Sequence, residues 1–271
     1  MDHELTLMAV HAHPDDEVLG TGGVFAKYAE EGIRTVLVTC TNGEQGDGPG
    51  GVKPGEPGHD EAAVRARRLE ELDESVTHLG IAHVELLGYR DSGMDGWEGN
   101  QAQDAFANVP LDEAAGRLAA LMEHYRPQVV VTYDENGNYG HPDHIQANRI
   151  TLAAAEATGI PDKVYYTAVP RERIAELFEY LRSIDAAPED PGLPEDFGTP
   201  QELITAVVDV TPYVERKRKA LEAHASQGDS IFLLRMPAEA QHRALSPEFF
   251  IRHFTRVSSA EHETDLFDGL R

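Results

Sequence analysis

Twice in this chain an apolar run leads into a short polar phrase built on His-Pro-Asp, and a helical pattern follows. The first run, Leu5 to Val10, opens onto His11-Ala12-His13-Pro14-Asp15-Asp16-Glu17. The second, Val129 to Thr132, is followed by His141-Pro142-Asp143-His144. Polar chemistry between a strand and a helix is where α/β proteins place their sites. Proline is tolerated in the first turn of a helix, so the last member of each phrase belongs just inside a new one. Each phrase offers two candidate metal ligands at i and i+3. Two imidazoles and a carboxylate are a common ligand set for a catalytic zinc with an open position. One such phrase alone reads equally well as a histidine capping a helix. Two of them, at the ends of two strands, point to a metal site.

The rest of the chain fits an α/β protein with a mostly parallel, Rossmann-like sheet flanked by helices and a C-terminal excursion. Leu5 to His11 reads as a strand. Val18 to Glu31 reads as a helix burying Val18, Val24, Phe25 and Tyr28, and Gly32 ends it. Arg34 to Thr41 is a β-branched run of the kind found in buried parallel strands. The loop from Thr41 through Glu44 to His59 then leaves the same carboxyl edge. Its glycines do not form the GxGxxG of a dinucleotide site. Further helices are expected at Asp60–Leu79, Leu111–Tyr125, Pro142–Thr158, Arg171–Ile184 and Pro212–Ser226. Further strands are expected at Val84–Leu87, Gln128–Tyr133, Lys163–Val169 and Leu203–Val210. Residues 1–271 read as one domain: a metal-site core over 1–170, a variable helix and acidic flap over 171–202, and a returning part over 203–271. The Pro-rich stretch Ala186–Pro200 is the flap, Trp97 is assigned to closing the core, and Ser258–Arg271 reads as a polar tail.

Acidic residues outnumber basic ones 48 to 23, for a net charge of −25. Nucleic-acid binding is not expected of such a chain, because phosphate backbones require clustered Lys and Arg. The run Arg216-Lys217-Arg218-Lys219 is therefore read as a solvated helix face. A single cysteine, Cys40, excludes an internal disulfide and sits in a buried strand pattern. No window approaches the length of a membrane helix and no signal peptide is evident, so a cytoplasmic protein is expected, with homo-oligomerisation left open.

The first phrase, continued by Gly20-Thr21-Gly22-Gly23, and the second, extended back to Tyr133-Asp134-Glu135-Asn136-Gly137-Asn138-Tyr139-Gly140, resemble the two motifs of the PIG-L/LmbE-like zinc N-deacetylases. The resemblance runs from about Leu5 to about Gln227. The family includes the GlcNAc-inositol deacetylase of mycothiol biosynthesis and the mycothiol S-conjugate amidase. Val18-Leu19-Gly20-Thr21 is closer to the general family pattern than to either mycothiol enzyme.

The resemblance implies removal of an N-acyl group, most often acetyl, from a small-molecule amino sugar or its glycoside, with the amidase activity as the alternative. It assigns His13, Asp16 and His144 as ligands of Zn2+, with Fe2+ the alternative metal. The residues alone do not decide between His141 and His144. Asp15, beside a ligand, becomes the general base, where the plainer reading is a helix cap. His141, if protonated and oriented by Asp143, becomes a donor to the tetrahedral oxyanion, with Tyr139 as a second donor. Arg68, in Arg68-Leu69-Glu70-Glu71-Leu72, and Asp91, in Gly88-Tyr89-Arg90-Asp91-Ser92-Gly93-Met94, match family segments that face substrate. Their plainer readings are a surface ion pair and a turn. Glu44 joins them as a substrate contact. Ala220 to Gln227 resembles a late family segment that returns to the core. His11 reads as a satisfied buried histidine. The rival from another class is a sugar-binding protein without catalysis, which needs neither a full ligand set nor Asp15. A metallophosphoesterase is a third reading, though such enzymes often pair two metals.

Overall fold

The computed structural model describes residues 5–187, 197–227, 233 and 236–271. In chain order the elements are β1 Thr6–His11, α1 Asp16–Glu30, β2 Arg34–Thr41, α2 Glu61–Leu79, β3 His83–Tyr89, α3 Leu111–Tyr125, β4 Val129–Thr132, the single turn α4 Gly137–Gly140, α5 Pro142–Thr158, β5 Lys163–Ala168, α6 Arg171–Ser183, β6 Ala206–Val208, α7 Val214–Ala223, α8 Ala238–Leu245 and β7 Glu248–Thr255. The strands form one sheet in the order β3-β2-β1-β4-β5-β7-β6. The first five are parallel, and β7 runs antiparallel to both β5 and β6.

All six residues of β1 are buried. Leu7 and Ala9 face a cluster with Phe25 and Tyr28 of α1, Leu72 and Leu79 of α2 and Leu221 of α7. Met8 and Val10 face the opposite cluster, with Leu118 and Met122 of α3 and Ile150 of α5. A strand covered on both faces reads as continuously apolar, which is why β1 and β2 were legible. From β1 the chain steps outward to β2 and β3, then returns to β4 on the other side of β1. The connections leaving β1 and β4 diverge at this switch point and open a crevice at the carboxyl ends of the two strands. Both His-Pro-Asp phrases lie there.

Several local expectations are corrected. Lys217 is buried, and its ammonium donates to the carbonyls of Leu19 and Leu245 and to Glu248 at 2.7 Å. The basic run is thus not wholly a solvated face. The same Glu248 accepts the N–H groups of Gly23 and Val24. A Cβ on Gly23 would stand 2.5 Å from Val210, so glycine is what lets α1 approach this neighbour. The polar tail is instead part of the core: Leu266 and Phe267 are fully buried, and Glu263 pairs with the buried Lys163. Trp97 is 42% exposed and lies over the backbone of Gly93 rather than closing the core. The strand expected at Leu203–Val210 shortens to β6, preceded by a 3₁₀ turn at Gln201–Leu203. Strand β7 and helix α8 had no counterpart in the sequence reading. Most of the acidic flap at 186–200 lies outside the described residues. No helix among the described residues is long and apolar enough to cross a membrane.

Candidate active site

At the end of β1 the chain turns through Asp15, which takes a φ of 116° before α1 begins at Asp16. A positive φ is strained for a residue with a Cβ and persists only where its surroundings hold it. Two groups do so. The Arg68 guanidinium donates to the Asp15 carboxylate at 3.0 Å and to the Pro14 carbonyl at 2.6 Å. The Asp15 N–H donates to the Glu17 carboxylate at 2.9 Å. Asp15 makes no side-chain cap bond to α1, so the capping alternative does not apply. Arg68 is buried, with its second arm on the Gly43 carbonyl, so it is no surface ion pair either.

Asp16 points the other way. Its Oδ2 accepts from the His13 N–H at 2.8 Å and the Tyr133 hydroxyl at 2.8 Å, and lies 3.2 Å from His13 Nδ1 and 3.5 Å from His144 Nε2. The Tyr133 hydroxyl also accepts the Ala12 N–H, and its ring stacks on His144 with centroids 4.0 Å apart. Tyr133 therefore joins the two phrases, a role unseen in the sequence, where it reads as the last residue of a strand.

From the second phrase, His141 and His144 bring their rings to 4.5 and 5.3 Å from His13. Two groups of ligand-type atoms lie mutually within 4.8 Å: His13, His141 and His144, and His13, Asp91, His141 and Asp143. Asp16 falls in neither, because Tyr133 and the His13 N–H hold its oxygen. Asp143 does not orient His141 through its carboxylate. Ser92 holds that carboxylate with its N–H and its hydroxyl, and one oxygen lies 3.2 Å from His13 Nε2. It is the Asp143 backbone N–H that donates to His141 Nδ1. Ser92, read in the sequence as a turn residue, thereby fixes a carboxylate of the cluster. Asp91 is buried, accepts from Gly93 N–H and Gln45 N–H, and lies 3.5 Å from His13 Nε2.

The electrostatics follow from this crowding. Burial opposes charge on His13, but Asp91, Asp143 and Asp16 lift its imidazole well above the ordinary value. Burial likewise opposes charge on Asp16, and His144 and His13 overcome it, holding the carboxyl well below the usual range. His141 is driven down to about 2 by burial and by its two histidine neighbours. It is therefore neutral, and with Nδ1 accepting from Asp143 its proton sits on Nε2. The imidazolium expected from the sequence is replaced by a neutral N–H donor. Burial lifts Asp15 to about 6, with Asp16 adding to the rise and Arg68 opposing it. His11, with Nε2 2.7 Å from the Thr21 hydroxyl, is lowered by burial to about 4 and is a satisfied core histidine.

This donor set suits a divalent cation of borderline softness. Three imidazoles and several carboxylates converge in a buried space. Nδ1 of His144 is buried and finds no hydrogen-bond partner among the described residues. A buried polar atom left in this way invites a ligand. Tyr139 stands at the mouth, 44% exposed, its hydroxyl 3.5 Å from His144 Nε2. Glu44 is the predicted residue that joins the cluster least. It is buried, and it lines a separate cavity of about 370 Å³ with Asn42, Tyr89, Arg90 and Asp104.

Comparison with known proteins places this arrangement. Residues 8–155 match the family described as PIG-L: GlcNAc-PI de-N-acetylase. The 1D-myo-inositol 2-acetamido-2-deoxy-alpha-D-glucopyranoside deacetylase 1 of Catenulispora acidiphila is 40% identical over 294 residues, 97% of this chain and 89% of its own. The deacetylase of that substrate from Acidothermus cellulolyticus is 40% identical over 281 residues, 98% and 95% of the two chains. The tetrapeptide Val18-Leu19-Gly20-Thr21 is thus outweighed by identity along nearly the whole chain. Among solved structures, N,N'-diacetylchitobiose deacetylase from Pyrococcus horikoshii shares the fold, with a TM-score of 0.60 at 20% identity over 94% of this chain and 88% of its own. By the match to the two phrases and by this identity, the chain belongs to the PIG-L, or GlcNAc-PI de-N-acetylase, family.

Proposed function

We propose that this protein is a zinc-dependent N-deacetylase that removes the acetyl group from an amino-sugar glycoside of the GlcNAc-inositol type, with Fe2+ as the alternative metal. His13, Asp16 and His144 hold the ion, and Asp16 turns from Tyr133 toward it. When bound, such an ion supplies Lewis acidity toward the amide carbonyl and makes hydroxide available near neutral pH.

The remaining chemistry falls to the chain's own groups. Asp15 takes a proton from the attacking water as its oxygen adds to the amide carbon, and returns that proton to the departing amine nitrogen. Arg68 aims the Asp15 carboxylate, and we assign it this role in place of a direct sugar contact. The neutral Nε2–H of His141 and the Tyr139 hydroxyl donate toward the oxygen on which negative charge develops. Asp143 and Asp91 act on His13, fixing its ring, in the way that partners beyond the ligands orient them.

The observation that carries this reading is the meeting of three buried imidazoles with Asp15 at the switch point between β1 and β4. The test is amine release from GlcNAc-inositol, from simple N-acetylated amino sugars and from a mycothiol-type thiol conjugate, before and after chelation and metal return. Chelator-sensitive release from the GlcNAc glycoside, restored by zinc, is the expected result. Release from the thiol conjugate alone would turn the assignment to an amidase. Metal-loaded protein releasing amine from none of them would remove it.

A further inference from the structure

Glu17 ends the first phrase, and the mechanism above does not use it. It is fully buried where α1 meets α2 and the end of α7, together with Ser75 and His224. One carboxylate oxygen accepts from His224 Nε2 at 2.7 Å and from the Ser75 hydroxyl. The other accepts the Asp15 N–H at 2.9 Å. His224 lies 207 residues from Glu17 in the chain. Its Nδ1 is buried with no partner among the described residues, so the ring is held through Nε2.

We infer that His224 is a positioning residue for the hydrolytic reaction, acting through Glu17 on Asp15. The inference rests on the reading of Asp15 as general base. Asp15 has a strained backbone, and its peptide N–H has one fixed acceptor, Glu17. That acceptor stays in place only while its other oxygen is held by His224 and Ser75. Arg68 fixes the Asp15 carboxylate from the opposite side. Base and backbone are therefore clamped from two directions, and the clamp on the backbone side is closed by a residue from the C-terminal part of the chain. Without His224, a carboxylate buried among three helices loses its principal donor and rotates or takes up a proton. The Asp15 N–H then loses its partner, and the turn relaxes away from a φ of 116°.

The test is a double-mutant cycle on the metal-loaded protein, with His224→Leu and Asp15→Asn made singly and together. A displacement of about 1 Å at a reacting group is worth roughly 100-fold in rate, so His224→Leu should lower kcat by roughly 30- to 100-fold. KM and bound metal should not change. In the Asp15→Asn background the same substitution should have no further effect on the residual rate. His224→Gln, which keeps an N–H donor for Glu17, should recover most of the loss. If His224→Leu does not fold, Ser75→Ala takes its place in the cycle with a smaller expected loss.

An equal loss in both backgrounds, or loss of metal, would show that His224 does not act through Asp15. A second readout is independent of turnover: amide hydrogen exchange at Asp15 should be slow in the parent and faster in His224→Leu. Unchanged protection there would overturn the clamp whatever Asp15 does. Full activity in Asp15→Asn alone would instead overturn the assignment of the base, while the exchange result would still decide whether His224 holds that turn.

Discussion

The molecule contains two kinds of buried polar cluster, and they are built on opposite rules. In the C-terminal part each buried charge is answered. Lys163 donates to Glu263 at 2.5 Å and to the carbonyls of Asp268 and Leu266, and the Tyr165 hydroxyl takes the other oxygen of Glu263. Lys217 and Glu248 are satisfied in the same manner by backbone groups of α1 and its neighbours. At the switch point the groups crowd without resolving. Three imidazoles share a space of under 5 Å, His141 is pushed down while His13 is pushed up, and His144 keeps an unanswered nitrogen. A polar cluster that satisfies itself holds a fold together. One that cannot do so among protein atoms leaves room for something else.

Substitution in the two clusters should therefore separate activity from stability. The largest effect is expected at Asp15. General acid–base catalysis is worth about 100- to 10,000-fold, so Asp15→Asn should lower kcat within that range. Metal content by elemental analysis and the melting temperature should stay at the parent level. Next comes Lys163→Met. Removing one partner of a buried pair costs about 3–5 kcal/mol, here by leaving Glu263 uncompensated. Denaturant unfolding should show this loss, while kcat of the protein that remains folded stays unchanged. A fall in kcat in Lys163→Met without loss of stability would erase the contrast. Third, His141→Ala removes a donor to the developing oxyanion, worth about 100- to 1,000-fold. It should do so with metal retained. Metal loss in His141→Ala, with retention in His144→Ala, would exchange the roles of the two histidines.

What could be read in advance divides along the same line. The metal phrases were legible because their chemistry is local: i and i+3 around a proline, at the end of an apolar run. The parallel strands β1 and β2 were legible because both their faces are covered. What escaped depends on distant partners. Tyr133 looks like a strand residue until its hydroxyl meets Ala12 and Asp16, more than a hundred positions away. Arg68 resembled a substrate contact because its true acceptors, the Pro14 carbonyl and Asp15, lie more than fifty residues upstream. Lys217 hid in a basic run, since nothing nearby marks it as the partner of Glu248. The final segment read as polar because its core contribution rests on Leu266 and Phe267 and on Glu263, whose partner Lys163 is on β5.

The smallest effect sharpens the comparison from a position that belongs to both kinds of cluster. His224 is buried like the C-terminal lysines, yet its partner Glu17 also holds the Asp15 backbone. Burial opposes a charge on His224, but Glu17 beside it, with Asp15 assisting and Arg68 opposing, keeps the imidazole above its ordinary range. A histidine raised in the folded state contributes stability that is fully present below its unfolded value, near pH 6.5. That contribution is lost as pH rises through the folded value. The parent should therefore lose melting temperature between about pH 6 and pH 9 more steeply than His224→Gln, which carries no titrating group at this position. Equal slopes in the two proteins would mean that the Glu17–His224 pair holds the same charge in the unfolded chain. The C-terminal lysine pairs, not this one, would then account for the buried electrostatic stability of the molecule.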